Sequence, residues 1–376
     1  MNYSDLKYRQ NQVFLIIGLF ACLLAFTGKV HAAPVVTLGE ALNNCKTIYA
    51  AEQDSAKRLA CYDSIQASKV IAVSPNIAAE DAAPEAKIDI ALKAPYPNLS
   101  YLEKKWRLDS QGDWDLTDFE THHSNYLLVQ TTNSVNNTPT TPTQPAPADR
   151  DLQSGDLQFQ FSIKTELMKN IPIISNLPFV TSARLWGAYT QQSFWQVGNG
   201  NNSRPLREND YQPEVILSLG LNNQVNGERL NYMPRLLNLG LVHESNGRDN
   251  PLSRSWNRIY LESGWQLTDR LSLMVRPWWR VPEPDTDDNP DIEKYLGYGD
   301  MNLRWENPSG KTAASLLLRN NLRSENKGYA KFDLSRKLYD DSIIKLHFML
   351  TSGYGDSLLD YNHSQSTIGV GMSIGD

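Results

Sequence analysis

The stretch Thr367-Ile368-Gly369-Val370-Gly371-Met372-Ser373-Ile374 decides the fold, because large apolar side chains alternate strictly with small or polar ones. A period of two places the apolar residues on one face of a β-strand and the remaining residues on the other face. The second face is too small and too polar to fill a dry core. The run therefore predicts a strand that separates an apolar environment from a hydrated one.

The same alternation recurs upstream and predicts a closed antiparallel sheet. It is clear at 157–164, 215–221 and 344–350, where every second residue is apolar. An even number of strands with alternately long and short connections is typical of a transmembrane β-barrel. We predict an all-β fold, a twelve-stranded antiparallel transmembrane β-barrel over residues 123–376. Its predicted strands are 124–132, 157–167, 180–197, 211–221, 232–245, 255–267, 269–281, 294–306, 311–321, 327–336, 341–354 and 364–375.

The composition leaves a soluble β-sandwich as the alternative fold. Hydrophobic residues make up 40% of the 376 residues, and the net charge of −6 argues against nucleic acid as a partner. The barrel is favoured because the polar faces carry charged residues beside aromatic ones, which suits a hydrated lumen. Tryptophans near strand ends or middles are also partly consistent with girdles at the membrane interfaces. They are Trp186, Trp195, Trp265, Trp278, Trp279 and Trp305.

The beginning of the chain has the features of a secretory signal peptide. Lys7 and Arg9 precede an apolar core over 13–26, and Val30-His31-Ala32 suits a cleavage site, with Ala33 as an alternative. We therefore expect residues 1–32 to be removed on export.

The sequence of residues 33–122 predicts a small periplasmic region that is helical or irregular. Apolar residues recur at helical spacing over 39–68, and 69–95 has the composition of a linker. Cys45 and Cys61 are expected to form a disulfide that joins the two short helices, because an exported chain meets an oxidising compartment. Two separate buried thiols are the alternative.

A cluster of polar residues with catalytic potential lies at His243-Glu244-Ser245-Asn246-Gly247-Arg248, and Asn257 follows on the next predicted strand. A spacing of two places His243 and Ser245 on the same face of a strand. A nucleophile, a base and a group that orients the base can therefore meet at one strand end. The G-x-S-x-G elbow of α/β-hydrolases is absent, because His243 occupies its first glycine position.

This cluster is predicted to face lipid at the outer rim of the barrel. His243 and Ser245 lie on the same strand face as Leu241, because they follow it at every second position. Asn257 likewise shares its strand face with Ile259. Polar groups without partners at such a face cost about 1–3 kcal/mol each, so their presence indicates a lipid substrate. The long connections that predict the extracellular end of the barrel are 133–156, 198–210, 246–254 and 282–293.

Several motifs of this chain resemble those of the outer membrane phospholipase A family. The resemblance covers roughly residues 123–376. The motifs are Tyr189-Thr190-Gln191-Gln192-Ser193-Phe194-Trp195-Gln196, the run His243–Arg248, the run Ser253–Arg258, Asp287–Asp291 with Lys294-Tyr295, and Ser352-Gly353-Tyr354-Gly355-Asp356-Ser357-Leu358.

The resemblance implies a phospholipase A1/A2 of the bacterial outer membrane. Such an enzyme hydrolyses acyl esters of phospholipids and lysophospholipids, depends on Ca²⁺ and is active as a homodimer. By the resemblance, Ser245 is the nucleophile, His243 the base and Asn257 its orienting group. The backbone N–H groups of Ser245 and Gly247, with calcium-bound water, form the oxyanion hole.

The resemblance also implies the calcium ligands. They are a main-chain oxygen of Arg248, an oxygen of Ser253, and Ser203 of the partner subunit. Asp288 matches a second calcium position that the family's monomer uses. The family has an aspartate at the position of Asn250, so that second site is in question here.

Two other functions stay open from the sequence. One is a porin or adhesin without catalytic activity, which would place a polar constellation in its lumen rather than towards lipid. The other is a different lipid esterase of the outer membrane, which acts on lipopolysaccharide.

Overall fold

The computed structural model describes residues 100–108, 118–201, 206–225, 228–283 and 287–375. The predicted signal peptide, the linker and the bridge between Cys45 and Cys61 lie outside these residues, as does Ser203. In the described part, no helix has both the length and the apolar character needed to cross a bilayer.

Short helices and long strands make up the described chain. The helices are α1 (Tyr101–Trp106), α2 (Pro172–Ser175) and α3 (Glu293–Leu296). The strands are β1 (Phe119–Thr121), β2 (Asn125–Thr132), β3 (Gly155–Lys169), β4 (Val180–Trp195), β5 (Glu208–Leu221), β6 (Gln224–Val225), β7 (Glu228–Arg229), β8 (Leu236–Ser245), β9 (Ser255–Thr268), β10 (Leu271–Arg280), β11 (Gly299–Glu306), β12 (Thr312–Asn320), β13 (Gly328–Lys337), β14 (Ile344–Tyr354) and β15 (Ser364–Ile374).

Twelve of these strands close into an antiparallel barrel. Each strand from β2 to β5 and from β8 to β15 pairs with its neighbour in this series, and β15 returns to β2. β1 pairs with β3 beyond the segment of β3 that pairs with β2. β6 and β7 form a separate hairpin. The predicted twelve-stranded barrel is confirmed.

The strand boundaries differ from the predicted ones at a few connections. The predicted strand 294–306 begins only at Gly299, because α3 occupies the residues before it. Ile292 and Leu296 bury their side chains in a cluster with Tyr361, and this packing overrides the extended pattern. The predicted strand 232–245 begins at Leu236.

Apolar side chains cover the outside of the barrel and polar ones point inward. On β15, Val370 and Met372 are each 54% exposed, whereas Thr367 and Ser373 are buried. A soluble core would invert this arrangement. The outer surface is therefore suited to hydrocarbon, as expected of a barrel that crosses a membrane.

The tryptophan girdles are only partly as predicted. Trp279 and Trp305 are exposed on the outside, at 59% and 40%. The assignment was wrong for Trp186 and Trp278, which are buried in the lumen. There Trp278 donates to the carbonyl oxygen of Gly297 at 3.0 Å, a polar partner that the strand pattern cannot reveal.

Helix α1 lies inside the barrel, at the end far from the loop 246–254. Ser100 caps it through a reciprocal pair of hydrogen bonds with Glu103. Glu103 approaches Arg235 of the barrel wall at 3.5 Å, and Trp106 stands edge-on to Trp186 with ring centres 6.3 Å apart. The lumen therefore contains a packed apolar cluster in addition to its polar lining.

Candidate active site

His243 and Asn257 face each other across the pair β8 and β9. The strand register places them directly opposite, and His243 Nδ1 lies 2.8 Å from Asn257 Oδ1. His243 is exposed on the outer surface, whereas Val242 before it is buried in the lumen. The register of two strands thus brings together two residues that are fourteen positions apart.

Glu283 determines the orientation of the Asn257 side-chain amide. Asn257 Nδ2 donates to Glu283 Oε1 at 3.2 Å, and a carboxylate can only accept. The amide oxygen is therefore the atom that faces the imidazole, and His243 Nδ1 carries the proton between them. This leaves Nε2 as the basic nitrogen of the neutral ring.

Glu283 lies in the connection after β10, beside Arg280. Arg280 Nη2 is 3.9 Å from Glu283 Oε2. Burial raises the pKa of the Glu283 carboxyl, and the guanidinium of Arg280 offsets part of this rise. Sequence reasoning missed Glu283, because its contact with Asn257 depends on how a loop folds back over the barrel rim.

Ser245 ends β8 on the same outer face as His243. It stands opposite Ser255 on β9 and Tyr211 on β5. Two residues later Gly247 adopts a φ of +61°, in the left-handed region that favours glycine. A Cβ at Gly247 would also lie 3.2 Å from the Tyr211 ring. The backbone thus turns sharply away just after Ser245.

Glu244 points into the lumen between these two outward residues. Its Oε2 accepts from Trp256 Nε1 at 2.8 Å and from Arg258 Nη2 at 2.5 Å, and its Oε1 accepts from Gln212 Nε2 at 3.0 Å. These bonds join the end of β8 to β9 and β5. They fix the strand that carries His243 and Ser245 from the side opposite to the lipid.

Asn246 is buried and organises the loop 246–254. Its Nδ2 donates to Leu252 O at 2.8 Å and to Glu208 Oε1 at 3.1 Å. Its Oδ1 accepts from the backbone N–H groups of Arg254 and Arg248, at 3.0 and 3.3 Å. The sequence motif contains Asn246, but its structural role follows only from these contacts.

Oxygen atoms gather where the loop 246–254 meets the connection after β10. Ser253 Oγ lies 2.5 Å from Asp288 Oδ2, and Gln144 Nε2 donates to Asp288 Oδ1 at 2.7 Å and to Asn250 Oδ1 at 3.1 Å. Hydroxyl, carboxylate and amide oxygens are the donors that Ca²⁺ prefers. The oxygen types therefore suit a hard cation, although the Gln144 amide and the Ser253 hydroxyl donate to these oxygens in the structure.

Arg248 uses its side chain for another purpose. Its guanidinium donates to the carbonyl oxygens of Leu206 and Arg207, the latter at 2.8 Å. The main-chain oxygen of Arg248 stays the proposed ligand atom, and Ser203 falls in the part of the chain that is not described.

Comparison with known sequences identifies relatives along the whole chain. A sequence profile of the phospholipase A1 family matches residues 102–374. A putative phospholipase A1 from Neisseria meningitidis serogroup B is 30% identical over 408 residues, covering 99% of this chain and 98% of that protein. Phospholipase A1 of Escherichia coli strain K12 is 32% identical over 263 residues, covering 68% of this chain and 81% of that protein.

Solved structures give the same relationship. An active-site mutant of outer membrane phospholipase A from Escherichia coli matches with a TM-score of 0.59 at 30% identity, covering 71% of this chain and 95% of that chain. A calcium-bound dimer of the Salmonella typhi outer membrane phospholipase matches with a TM-score of 0.59 at 29% identity, covering 70% of this chain and 95% of that chain. Together with the profile match, these likenesses show that the chain belongs to the phospholipase A1 family and is a β-barrel enzyme of the outer membrane.

Proposed function

We propose that this protein hydrolyses acyl ester bonds of phospholipids and lysophospholipids with a triad of Ser245, His243 and Asn257. The observation that carries the proposal is the outward His243–Asn257 hydrogen bond of 2.8 Å, two residues from Ser245. Groups on the outer wall of a barrel meet lipid and not the contents of the lumen. This position favours a lipid ester over a solute as the substrate.

In the proposed mechanism, Ser245 Oγ attacks the ester carbonyl while His243 Nε2 takes its proton. The Asn257 oxygen holds the proton on Nδ1, so that the ring presents Nε2 and is stabilised once it becomes imidazolium. Asn257 is neutral, which avoids a buried charge beside hydrocarbon. His243 then returns the proton to the leaving alcohol, which leaves the acyl group on Ser245 Oγ. Water, deprotonated by the same Nε2, attacks this acyl ester, and His243 gives the proton back to Ser245 Oγ as the fatty acid leaves.

The turn after Ser245 supports an oxyanion site. The backbone N–H groups of Ser245 and Gly247 are proposed to donate to the developing oxyanion, at the point where φ of Gly247 is +61°. The acyl chains would lie along Leu239 and Leu241 of β8, whose side chains are on the same outer face as that of Ser245. The site is proposed to face the extracellular side of the bilayer.

Calcium is proposed to bind beside this turn and to couple activity to dimerisation. The ligands are the main-chain oxygen of Arg248, Ser253 and Ser203 of the partner subunit, with Asp288 serving the monomer. The bound cation supplies electrostatic stabilisation of negative charge. The calcium-bound dimer of the Salmonella typhi relative supports this proposal.

Release of fatty acid from mixed micelles tests the proposed substrate. Purified protein is offered phospholipid, lysophospholipid or lipopolysaccharide in separate micelles with calcium. We expect acyl release from the first two substrates. Release from lipopolysaccharide alone would support the other esterase, and no release from any lipid would support the porin or adhesin.

Replacement of Asn257 by alanine should reduce turnover without abolishing it. The variant loses the acceptor for the proton on His243 Nδ1, and a hydrogen bond to a charged group contributes about 1.5–3 kcal/mol. We expect the kcat of phospholipid hydrolysis to fall by roughly ten- to a hundredfold. An unchanged kcat in Asn257→Ala would show that His243 needs no orienting amide.

Replacement of Glu283 by alanine should have a smaller effect through Asn257. The amide would lose the acceptor that sets its orientation. Because Glu283 acts on His243 only through Asn257, we expect about 0.5–1.5 kcal/mol of this contact to reach the transition state. We expect kcat to fall by roughly two- to tenfold with little change in KM. Glu283→Gln keeps an acceptor oxygen at this position and should retain more activity than Glu283→Ala. Equal losses in both variants would contradict the positioning role.

A further inference from the structure

A second group of potential ligands lies inside the barrel, apart from the outward site. His122, His123 and Glu214 place their ligand atoms within 4.8 Å of one another. Successive residues of a regular strand point to opposite faces. Here the break between β1 and β2 turns both imidazoles towards each other, with ring centres 4.2 Å apart.

The backbone around this group is anchored on three strands. The N–H groups of His122 and His123 donate to the carbonyl and hydroxyl oxygens of Ser162 on β3, at 3.4 and 3.0 Å. Glu214 projects from β5, and its Oε2 accepts from the Tyr260 hydroxyl of β9 at 2.9 Å.

Gly240 makes this arrangement possible. It lies opposite Tyr260 on the neighbouring strand, and a Cβ at this glycine would fall 2.1 Å from Cζ of the Tyr260 ring. The absence of a side chain lets Tyr260 reach Glu214. The carboxylate is therefore held in a fixed position.

His122 is the strongest sign of a missing ligand. The residue is 4% exposed, yet within the described chain neither of its ring nitrogens has a hydrogen-bond partner. Its Nε2 lies 3.3 Å from Glu214 Oε1, a marginal contact, and Nδ1 has no polar contact in the described chain. Buried polar atoms are normally satisfied by protein, water or an ion, so these nitrogens can serve as ligands. The adjoining cavity has a volume of about 260 Å³.

The neighbouring cations have partners of their own. Arg276 pairs with Asp300 at 2.6 Å, and Lys164 lies 3.8 Å from Glu120 and over the Trp186 ring at 4.1 Å. Lys105, which also acts on both imidazoles, places its ammonium over the Tyr101 ring at 5.4 Å. These contacts leave the Glu214 carboxylate as the negative charge beside the two imidazoles.

We propose that His122, His123 and Glu214 bind a divalent transition cation of the zinc class, with water completing the coordination. Two imidazoles and one carboxylate suit Zn²⁺, whose bonds to nitrogen are about 2.0–2.1 Å. Tetrahedral ligands at that bond length lie about 3.3–3.4 Å from one another, so ligand atoms that lie within 4.8 Å would need only small side-chain rotations to coordinate the cation. Nitrogen ligands discriminate against calcium, so this site differs in chemistry from the oxygen cluster at Asp288. A bound cation would tie β5 to the break between β1 and β2, next to Trp106, whose ring centre is 6.0 Å from that of His122.

Zinc titration of the full chain in detergent micelles tests the site. The chelator-stripped protein is titrated by calorimetry in excess calcium, and its zinc content is measured after gel filtration. We expect one zinc per chain in the wild type. The double variant His122→Gln/His123→Gln should bind zinc at least about tenfold more weakly. His347→Gln is the matched control, because His347 is also buried in the lumen but is bonded to Asp333 at 2.9 Å.

Two outcomes would overturn the proposal. One is wild-type protein that holds no stoichiometric zinc, and the other is a double variant that binds zinc as the wild type does. Absorption by Co²⁺ in the wild type gives a second measurement that needs no variant. A spectrum without nitrogen ligation would contradict the site even if the double variant failed to fold.

Discussion

Ser245→Ala should abolish phospholipid hydrolysis while the barrel stays folded. The variant removes the proposed nucleophile, and the remaining binding groups cannot replace the covalent step. Loss of a nucleophile from a triad lowers kcat by several orders of magnitude, so we expect a fall of at least about a thousandfold. Acyl release from phospholipid micelles measures this directly.

Ser255→Ala is the matched control for this experiment. Ser255 lies opposite Ser245 in the pair β8 and β9. Its backbone N–H donates to Asn289 Oδ1 at 2.9 Å, and this hydrogen bond does not use the Ser255 hydroxyl. The control removes a hydroxyl from the same outer surface and should keep near-normal turnover. If Ser255→Ala lost as much activity as Ser245→Ala, or Ser245→Ala lost none, the assignment of the nucleophile would be wrong.

Removal of calcium should both inactivate the protein and shift it from dimer to monomer. If the dimer holds the complete ligand set, calcium at about 100 times its dissociation constant stabilises it by about 2.7 kcal/mol per site. By linkage, the dimer must then bind calcium more tightly than the monomer. Cross-linking and acyl release, followed in micelles over one calcium titration, should rise together.

Variants separate the two proposed parts of the calcium requirement. Ser203→Gly should raise the calcium concentration needed for dimer formation and for activity, because it removes the ligand offered to the partner. Asp288→Asn should weaken calcium binding by the monomer, and Asp341→Asn in another connection serves as the charge-matched control. Dimer fraction and activity that respond to calcium independently would contradict the shared site, as would an unchanged requirement in Ser203→Gly.

The barrel was predictable because each strand repeats one simple rule. Alternation fixes which face meets lipid, and this rule places His243 and Ser245 outward while Glu244 points inward. The approach of Asn257 to His243 also follows, because the loop 246–254 joins two consecutive antiparallel strands. Strand number, residue parity and the approach of these two side chains are therefore local properties of the sequence.

The remaining features depend on contacts that no local pattern contains. Helix α1 has six residues, too few to show a period, and it is positioned by partners such as Arg235 far along the chain. Trp186 was assigned to the membrane interface because its strand position does not reveal the helix that covers it. Glu283 reaches Asn257 only through the fold of a loop.

Helix α1 and the aromatic cluster around it have a consequence for the permeability of the membrane. In the part of the chain that the structure describes, large side chains from the helix and from opposite walls meet across the lumen. A wide barrel without such a filling would pass ions and metabolites down their gradients. With its lumen filled in this way, the proposed catalytic groups on the outer wall come without an open pore through the middle of the described barrel. Hydrolysis at the lipid surface and passage of solutes are thereby uncoupled in one fold.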